Sequence, residues 1–146
     1  MILYTPTDDP THDADLFLGG SCVPEHPWRK DLLEALRTFS ITIYSPERAE
    51  FPNESLEDPA YLRQARWEQS ALAHSRAAVF WLDPKKPTSY ASRLEIGITL
   101  GRERPCVIGC LPHFPGAVYL RAYAPQAVLL TYPDFCEAVL QLARTL

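Results

Sequence analysis

The sequence lacks an excess of positive charge. It has 14 Lys and Arg against 18 Asp and Glu, a formal net charge of −4. A nucleic-acid-binding surface normally carries a basic excess or a basic stripe, so we do not expect nucleic acid as a partner. Long apolar runs are also missing, since stretches such as Ala77–Leu82 fall far short of the roughly 20 residues that cross a bilayer. We therefore expect no membrane partner.

Export signals and metal-ligand motifs are missing as well. The first residues have no cationic region and no long apolar stretch, so we predict no signal peptide and a cytoplasmic location. The cysteines are expected to be free in such a reducing compartment. No Cys-x2-Cys or His-x3-His pair occurs, and we predict no metal site.

Short apolar segments alternate with helical patterns along the chain. The apolar segments predict strands at residues 15–18, 41–44, 77–82, 105–109 and 127–130. The helical patterns predict helices at about 27–39, 60–74 and 91–102 and from Pro133 onward. Residues 1–14 are interpreted as a leader strand or loop, and 46–59 and 112–125 as loops. This alternation predicts one α/β domain over 1–146, a flavodoxin-like three-layer sandwich with a five-stranded parallel sheet of order 2-1-3-4-5.

Such sheets bind ligands outside the carboxyl ends of the strands, where the strand order reverses. Here that point brings together the turn Gly19-Gly20-Ser21, Asp83 and the start of the helix that carries Glu95. The turn either lets the backbone approach a phosphate or sugar or is merely a tight turn. It matches neither the G-x-G-x-x-G fingerprint nor a P-loop.

Two carboxylates are candidates for the chemistry. Glu95 lies in the first turn or two of its helix, where the helix dipole favours an ionised carboxylate. It is either a solvated residue or a nucleophile. Asp83 is either a strand-end cap or the partner of Glu95, and such a pair would supply the nucleophile and general acid of glycosidic-bond chemistry. Gly97, two residues after Glu95, would permit close packing.

Tryptophans offer flat walls for a nucleobase. Trp28 and Arg29 form one aromatic-plus-charge pair, and Trp67 and Glu68 form another. Trp81 lies inside an apolar run, close to Asp83. The alternative is that the three indoles pack helices against the sheet.

Several of these segments, taken in order, resemble the nucleoside 2-deoxyribosyltransferase-like family over about residues 15–110. The matching segments are Phe17-Leu18-Gly19-Gly20-Ser21, Trp28-Arg29, Ser45-Pro46-Glu47, Gln64-Ala65-Arg66-Trp67-Glu68 with Leu72, Phe80-Trp81 and Leu94-Glu95-Ile96-Gly97.

The resemblance implies a flavodoxin-like fold and a ping-pong reaction. It assigns Glu95 as the nucleophile that attacks the anomeric carbon and expels the base. It assigns Asp83 to help protonate that base, and it places the Gly-Gly-Ser turn beside the sugar or its 5′ group. No metal or organic cofactor is implied. A homo-oligomer, dimer or higher, is implied because family members complete their sites across subunits.

The chain also departs from the family's pattern. The Asp-x-Gly-Thr stretch that precedes the nucleophile helix in the characterised transferases is replaced by residues 87–92, which hold neither an acid nor a glycine. Their C-terminal asparagine has no counterpart, because the only asparagine here is Asn53. Ser21 and Cys22 replace a tyrosine. The substrate therefore stays open between nucleoside and nucleotide, and a phosphate could be met by an arginine. The arginines available are Arg29, Arg48, Arg66 and Arg93.

Three functions remain open at this point. The first is an N-glycosidic-bond enzyme, a transferase or hydrolase of nucleosides or nucleotides. The second is a non-catalytic nucleotide-binding module, which the missing sugar-binding residues favour. The third is a nicotinamide-dinucleotide glycohydrolase, which also uses a lone glutamate. The aromatic segment 112–125 is either a subunit surface or a lid over the site.

Overall fold

The structure, a computed structural model, describes residues 1–47 and 57–146. The strands within these ranges are β1 (Ile2–Tyr4), β2 (Ala14–Gly20), β3 (Thr42–Tyr44), β4 (Ser75–Leu82), β5 (Cys106–Cys110) and β6 (Val128–Leu129). The helices are α1 (Trp28–Leu36), α2 (Pro59–Ala73), α3 (Tyr90–Gly101), α4 (Ala117–Tyr123) and α5 (Tyr132–Ala143).

All six strands form one parallel sheet of order β1-β3-β2-β4-β5-β6. The predicted order 2-1-3-4-5 corresponds to β3-β2-β4-β5-β6 and is confirmed. The predicted count of five strands was wrong, because β1 pairs with β3 at the edge, with Ile2 opposite Thr42. A three-residue edge strand with largely exposed side chains has no clear burial pattern, which is why residues 1–14 were ambiguous.

The sheet is buried on both faces between two layers of helices. Side chains alternate along each strand, so Leu16 and Leu18 face one layer and Phe17 faces the other. Helices α1 and α5 cover the first face, and α2, α3 and α4 cover the second. The central strand β4 is buried at every position except Arg76, as its unbroken apolar run predicts.

Local chemistry fixes where the helices begin. Asp58 caps α2 by accepting a hydrogen bond from the Ala60 amide at 2.8 Å, and Pro59 occupies the first turn. Thr131 caps α5 in the same way through the Asp134 amide. Both arrangements satisfy backbone donors that a helix leaves unpaired at its start.

Segment 112–125 was expected to be a loop but contains α4. This helix follows Gly116, which adopts the left-handed region at φ +90°. Only Ala117 of its seven residues is buried, so it carries no strong apolar period. No helix in the described parts of the chain is long and apolar enough to cross a membrane.

Candidate active site

A cleft of about 620 Å³ opens at the carboxyl ends of β2 and β4, where Gly20 lies opposite Trp81. Its walls come from the turn after β2, the start of α1, one side of α2 and the N-terminal half of α3. This is the point where the strand order reverses. Seven of the predicted site residues line the cleft: Gly19, Gly20, Ser21, Trp28, Arg29, Glu68 and Glu95.

The Gly-Gly-Ser turn is shaped by its contact with β4. A Cβ atom on Gly19 would overlap the Phe80 ring, and one on Gly20 would overlap the Trp81 backbone. Gly20 also has φ +113°, which L side chains rarely adopt. The Ser21 hydroxyl accepts from the Asp83 amide at 3.0 Å. Both glycines are therefore needed for the turn to pack against β4, and the turn's backbone borders the cleft.

Arg29 is a buried cation that holds this turn in place. Its side chain is only 2% exposed and donates to the carbonyls of Leu18 at 3.0 Å and Gly20 at 2.8 Å. A weaker pair of contacts reaches Ser21 O at 3.4 Å and Cys22 Sγ at 3.3 Å. The planar guanidinium meets several carbonyls at once, which an ammonium could not do. Arg29 thus fixes the end of β2 and places a positive charge behind the cleft.

Trp28 and Tyr90 border the cleft in different ways. Trp28 is 3% exposed, and its Nε1 donates to Ser21 O at 2.9 Å while the Arg29 guanidinium lies 4.5 Å from its ring centroid. Most of that indole is therefore already packed. Tyr90, which sequence reasoning did not single out, lines the cleft from the first turn of α3 and is 73% exposed. Its ring offers the larger free aromatic face.

Glu95 reaches the cleft from the second turn of α3. Burial, with a smaller contribution from the negative charge of Glu68, raises the pKa of its carboxyl to about 8, and the positive charge of Arg29 opposes both effects. The helix dipole favours an ionised carboxyl, but desolvation outweighs that influence here. At neutral pH the carboxyl is largely protonated, and it becomes a strong nucleophile only once it has lost that proton.

Glu68 faces the cleft from α2, one turn after Gln64. The Gln64 amide Nε2 donates to Glu68 Oε1 at 2.6 Å and to Pro46 O at 3.1 Å. These bonds hold Glu68 on the cleft side of the helix. The neighbouring Trp67 points elsewhere, because successive helical side chains are about 100° apart. Of the predicted pair, Glu68 therefore lies at the cleft and Trp67 lies in the core.

Asp83 is not among the described residues that line the cleft. Its carboxylate is 2% exposed, accepts from the Lys85 amide at 2.8 Å and lies 2.6 Å from His26 Nδ1. His26 itself lines the cleft, and 54% of its side chain is exposed. Sequence reasoning treated the histidines only as metal ligands and missed this one. The available signal was its place in the loop that follows the Gly-Gly-Ser turn.

Trp67 and Trp81 also lie away from the cleft. They pack helices against the sheet, as the alternative interpretation of the indoles predicted. The Trp67 indole donates to Asp8 O at 2.9 Å and meets Tyr44 edge-on at 5.6 Å. Trp81 packs beneath α5, with ring centroids 5.0 Å from Tyr132 and 5.2 Å from Phe135. On a strand buried on both faces, sequence alone does not say which side chains point toward the ligand side.

The other candidate residues lie outside the cleft or outside the described ranges. Arg93 donates to the carbonyls of Thr88 and Pro115, and neither Arg93 nor Arg66 lines the cleft. A Cβ atom on Gly97 would meet no other atom within 4 Å, so the expected close packing there is wrong. Arg48 and Asn53 fall outside the described residues. Within the described ranges, no group of three or more His, Cys, Asp or Glu side chains could hold a metal ion.

Segment 112–125 does not border the cleft in the part of the chain that the structure describes. Phe114 and Ala117 anchor it in the core, at 2% and 5% exposure. Val118, Tyr119 and Tyr123 on α4 point to solvent. This placement gives no support to a lid and leaves the alternative of a subunit surface.

The family model for nucleoside 2-deoxyribosyltransferase-like proteins matches residues 13–114 of this chain. The matched range runs from β2 through β5 and includes every described residue that lines the cleft. No curated protein matches the chain. Because the family model spans more than half of the sequence, the chain belongs to the nucleoside 2-deoxyribosyltransferase-like family.

Proposed function

We propose that this protein cleaves the N-glycosidic bond of nucleosides or nucleotides and that Glu95 is the nucleophile. Membership in the family suggests a glycosyl-transfer function and a small nucleoside as the partner. The observation that carries the proposal is the position of Glu95, whose carboxyl faces a cleft of about 620 Å³ between the Gly-Gly-Ser turn and α2. That volume suits a small molecule of nucleoside or nucleotide size.

The reaction has two displacements at the anomeric carbon. In the first, a Glu95 carboxylate oxygen bonds to C1′, the C1′–N bond breaks, and the base leaves with the electron pair and gains a proton. In the second, water or another base attacks C1′, and the bond to Glu95 breaks with return of the electron pair to the carboxylate. Covalent catalysis of this kind divides one difficult step into two easier ones.

The charges around Glu95 support a nucleophile whose carboxyl is neutral in the free cleft and ionises for the reaction. Its pKa of about 8 keeps the carboxyl mainly neutral in the free cleft. A neutral carboxyl costs little to bury, whereas an unpaired buried carboxylate is expensive. Arg29 supplies the nearby positive charge that favours ionisation. A substrate that gains positive charge on its sugar in the transition state would favour it further.

Product analysis tests the proposal. The purified protein is incubated with pools of deoxynucleosides, ribonucleosides and their 5′-monophosphates, with and without a free acceptor base. New nucleoside that forms only with an acceptor identifies a transferase, and free base without an acceptor identifies a hydrolase. Glu95→Ala and Glu95→Gln should lose several orders of magnitude in rate. Glu34→Gln, which changes an exposed glutamate on α1, is the matched control and should retain full activity.

A second candidate is a nucleotide-binding module without turnover. The specific observation in its favour is that residues 87–92, several of which line the cleft, hold neither the acid nor the glycine of the family's Asp-x-Gly-Thr stretch. This candidate predicts that a nucleoside or nucleotide raises the melting temperature, as mass action requires, while no base is released. Unchanged turnover in Glu95→Ala would refute the nucleophile, and ligand stabilisation without product would favour the module.

We further propose a homo-oligomer in a reducing, cytoplasmic compartment. The exposed apolar side chains of α4 support a subunit contact, and the four free cysteines agree with a reducing environment. Sedimentation of the purified protein tests the first point, and the location of a tagged protein in cells tests the second.

A further inference from the structure

His26 and Asp83 form a pair at the rim of the cleft. Asp83 lies at the carboxyl side of β4, and His26 lies in the loop between β2 and α1. Their side chains meet at 2.6 Å, between His26 Nδ1 and Asp83 Oδ2. The carboxylate is buried and the imidazole is half exposed, so the pair joins the interior of the fold to the cleft.

The pair is held in one geometry. Asp83 Oδ1 accepts from the Lys85 amide at 2.8 Å, and the Asp83 amide donates to Ser21 Oγ at 3.0 Å. An ionised carboxylate only accepts hydrogen bonds, so His26 must donate from Nδ1. The proton that the imidazole can exchange is then the one on Nε2, for which the structure shows no hydrogen-bond partner among residues 1–47 and 57–146.

We propose that His26 carries the proton to and from the nucleobase and that Asp83 is a positioning residue that fixes its tautomer. The assignment rests on the function proposed above. Asp83 was expected to be the acid, but it is neither exposed nor part of the cleft wall. The acid role is therefore assigned to His26, which Asp83 holds in position. Imidazole exchanges protons near neutral pH and is the commonest general acid and base.

The proton that His26 donates is recovered within one catalytic cycle. Imidazolium His26 gives its Nε2 proton to the base nitrogen as the C1′–N bond breaks and Glu95 bonds to C1′. Neutral His26 then takes a proton from the attacking water or second base as the bond between C1′ and Glu95 breaks. Glu95 returns as a carboxylate and His26 returns as imidazolium.

Other charged groups near the pair can be distinguished from it by substitution. Lys86 also lines the cleft, and its amide donates to the Asp83 carbonyl. Lys85 and Glu25 make a weak exposed ion pair at 4.0 Å. Glu47 and Glu68 are the other carboxyls on the described part of the cleft wall. These two residues are the rival proton carriers, and both serve as comparisons in the test.

Leaving-group dependence tests the assignment. His26→Gln is assayed on a purine nucleoside and on its N7-methylated form, whose cationic base departs without needing a proton. The loss of kcat/KM, which covers the steps up to departure of the base, should be about 100- to 10,000-fold on the neutral nucleoside and less than about tenfold on the methylated one. His26→Ala should regain activity on the neutral nucleoside with added imidazole, because the site is open to solvent. Asp83→Asn should show the same selectivity more weakly.

Controls separate this assignment from the function on which it rests. Glu95→Gln should lose activity on both nucleosides, and Glu47→Gln and Glu68→Gln should show no selectivity between them. Equal losses on both substrates in a folded His26→Gln, full activity in that variant, or selectivity in Glu47→Gln or Glu68→Gln overturns the role of His26 while the enzyme remains. No turnover of either nucleoside by the unaltered protein refutes the proposed function and the assignment together.

Discussion

Glu95 places an ionisable group where its charge is disfavoured. Burial is the largest cause, and the charge of Glu68 adds to it. Two measurable consequences follow, one on rate and one on stability. Both concern single side chains and neither requires the substrate's full identity.

On the N7-methylated nucleoside, whose base departs without a proton from His26, kcat/KM should rise with pH up to about 8. The proposed nucleophile Glu95 must be ionised, so below its pKa the active fraction falls about tenfold for each pH unit. Glu68→Gln removes a neighbouring negative charge, lowers the pKa of Glu95 and should shift the rising limb of kcat/KM to lower pH. A pH–rate profile of both proteins checks this, with Glu34→Gln as the control. An unmoved limb in Glu68→Gln would contradict the coupling.

Stability should change with pH in the opposite direction to activity. The Glu95 pKa is raised from 4.5 to about 8 on folding, so between these values the folded state holds more protons than the unfolded state. The free energy of unfolding therefore falls as pH rises through this window. Glu95→Gln removes the effect and should be more stable by on the order of 2–4 kcal/mol at pH 8.

Urea unfolding at pH 4 and pH 8 provides the measurement. The gap between Glu95→Gln and the unaltered protein should be small at pH 4 and large at pH 8. The exposed Glu137→Gln on α5 should show no such growth. An equal gap at both pH values would show that Glu95 titrates normally.

Among the elements, the turn between β2 and α1 depends most on one side chain. Arg29→Lys keeps the charge but loses the planar fork that meets the carbonyls of Leu18 and Gly20. Because those groups are buried, we expect a loss of about 2–4 kcal/mol in the free energy of unfolding. Urea denaturation measures it. Arg37→Lys, the matched change at an exposed position following the same helix, should cost less than about 0.5 kcal/mol.

Sequence patterns predicted elements well where burial dictates them. The apolar run of β4 and the helix after it were found because both faces of that strand are covered. β1 was left open as a strand or a loop and α4 was missed, because each buries little of its own surface. The position of Glu95 at the cleft was predicted because it lies near the start of the helix that follows the central strand, and its role as nucleophile stays a prediction. His26 was missed because its contact with Asp83 spans 57 residues of chain, and no local pattern encodes such a pairing.

At the scale of the whole molecule, several large apolar side chains are exposed to solvent, which is unfavourable for an isolated chain. Val118, Tyr119 and Tyr123 of α4 are each at least 74% exposed. Tyr90 and Leu94 of α3 are also exposed. Arg93, also on α3, donates a hydrogen bond to the carbonyl of Pro115 just before α4. Exposed apolar clusters of this kind mark interaction surfaces.

Replacement of Tyr119 and Tyr123 by Lys should therefore shift an oligomer toward monomer without loss of the fold. Analytical ultracentrifugation reports the mass, and circular dichroism reports the fold. The control replaces exposed Arg37 and Glu34 on the opposite helical layer with Ser. An unaltered protein that sediments as a monomer at every accessible concentration would rule out this surface as a self-contact.

The pairing of β2 with β4 determines the stage of chain synthesis at which the cleft can form. Gly20 lies opposite Trp81, about sixty positions later in synthesis, and Glu95 follows later still. A nascent chain that ends before β4 has a Gly-Gly-Ser turn but lacks the strand against which the turn packs. Contacts this distant in sequence form late in folding, after a costly loop closure. A ligand of the cleft can therefore neither guide the early steps nor protect an unfinished chain, and it can stabilise only the completed sheet.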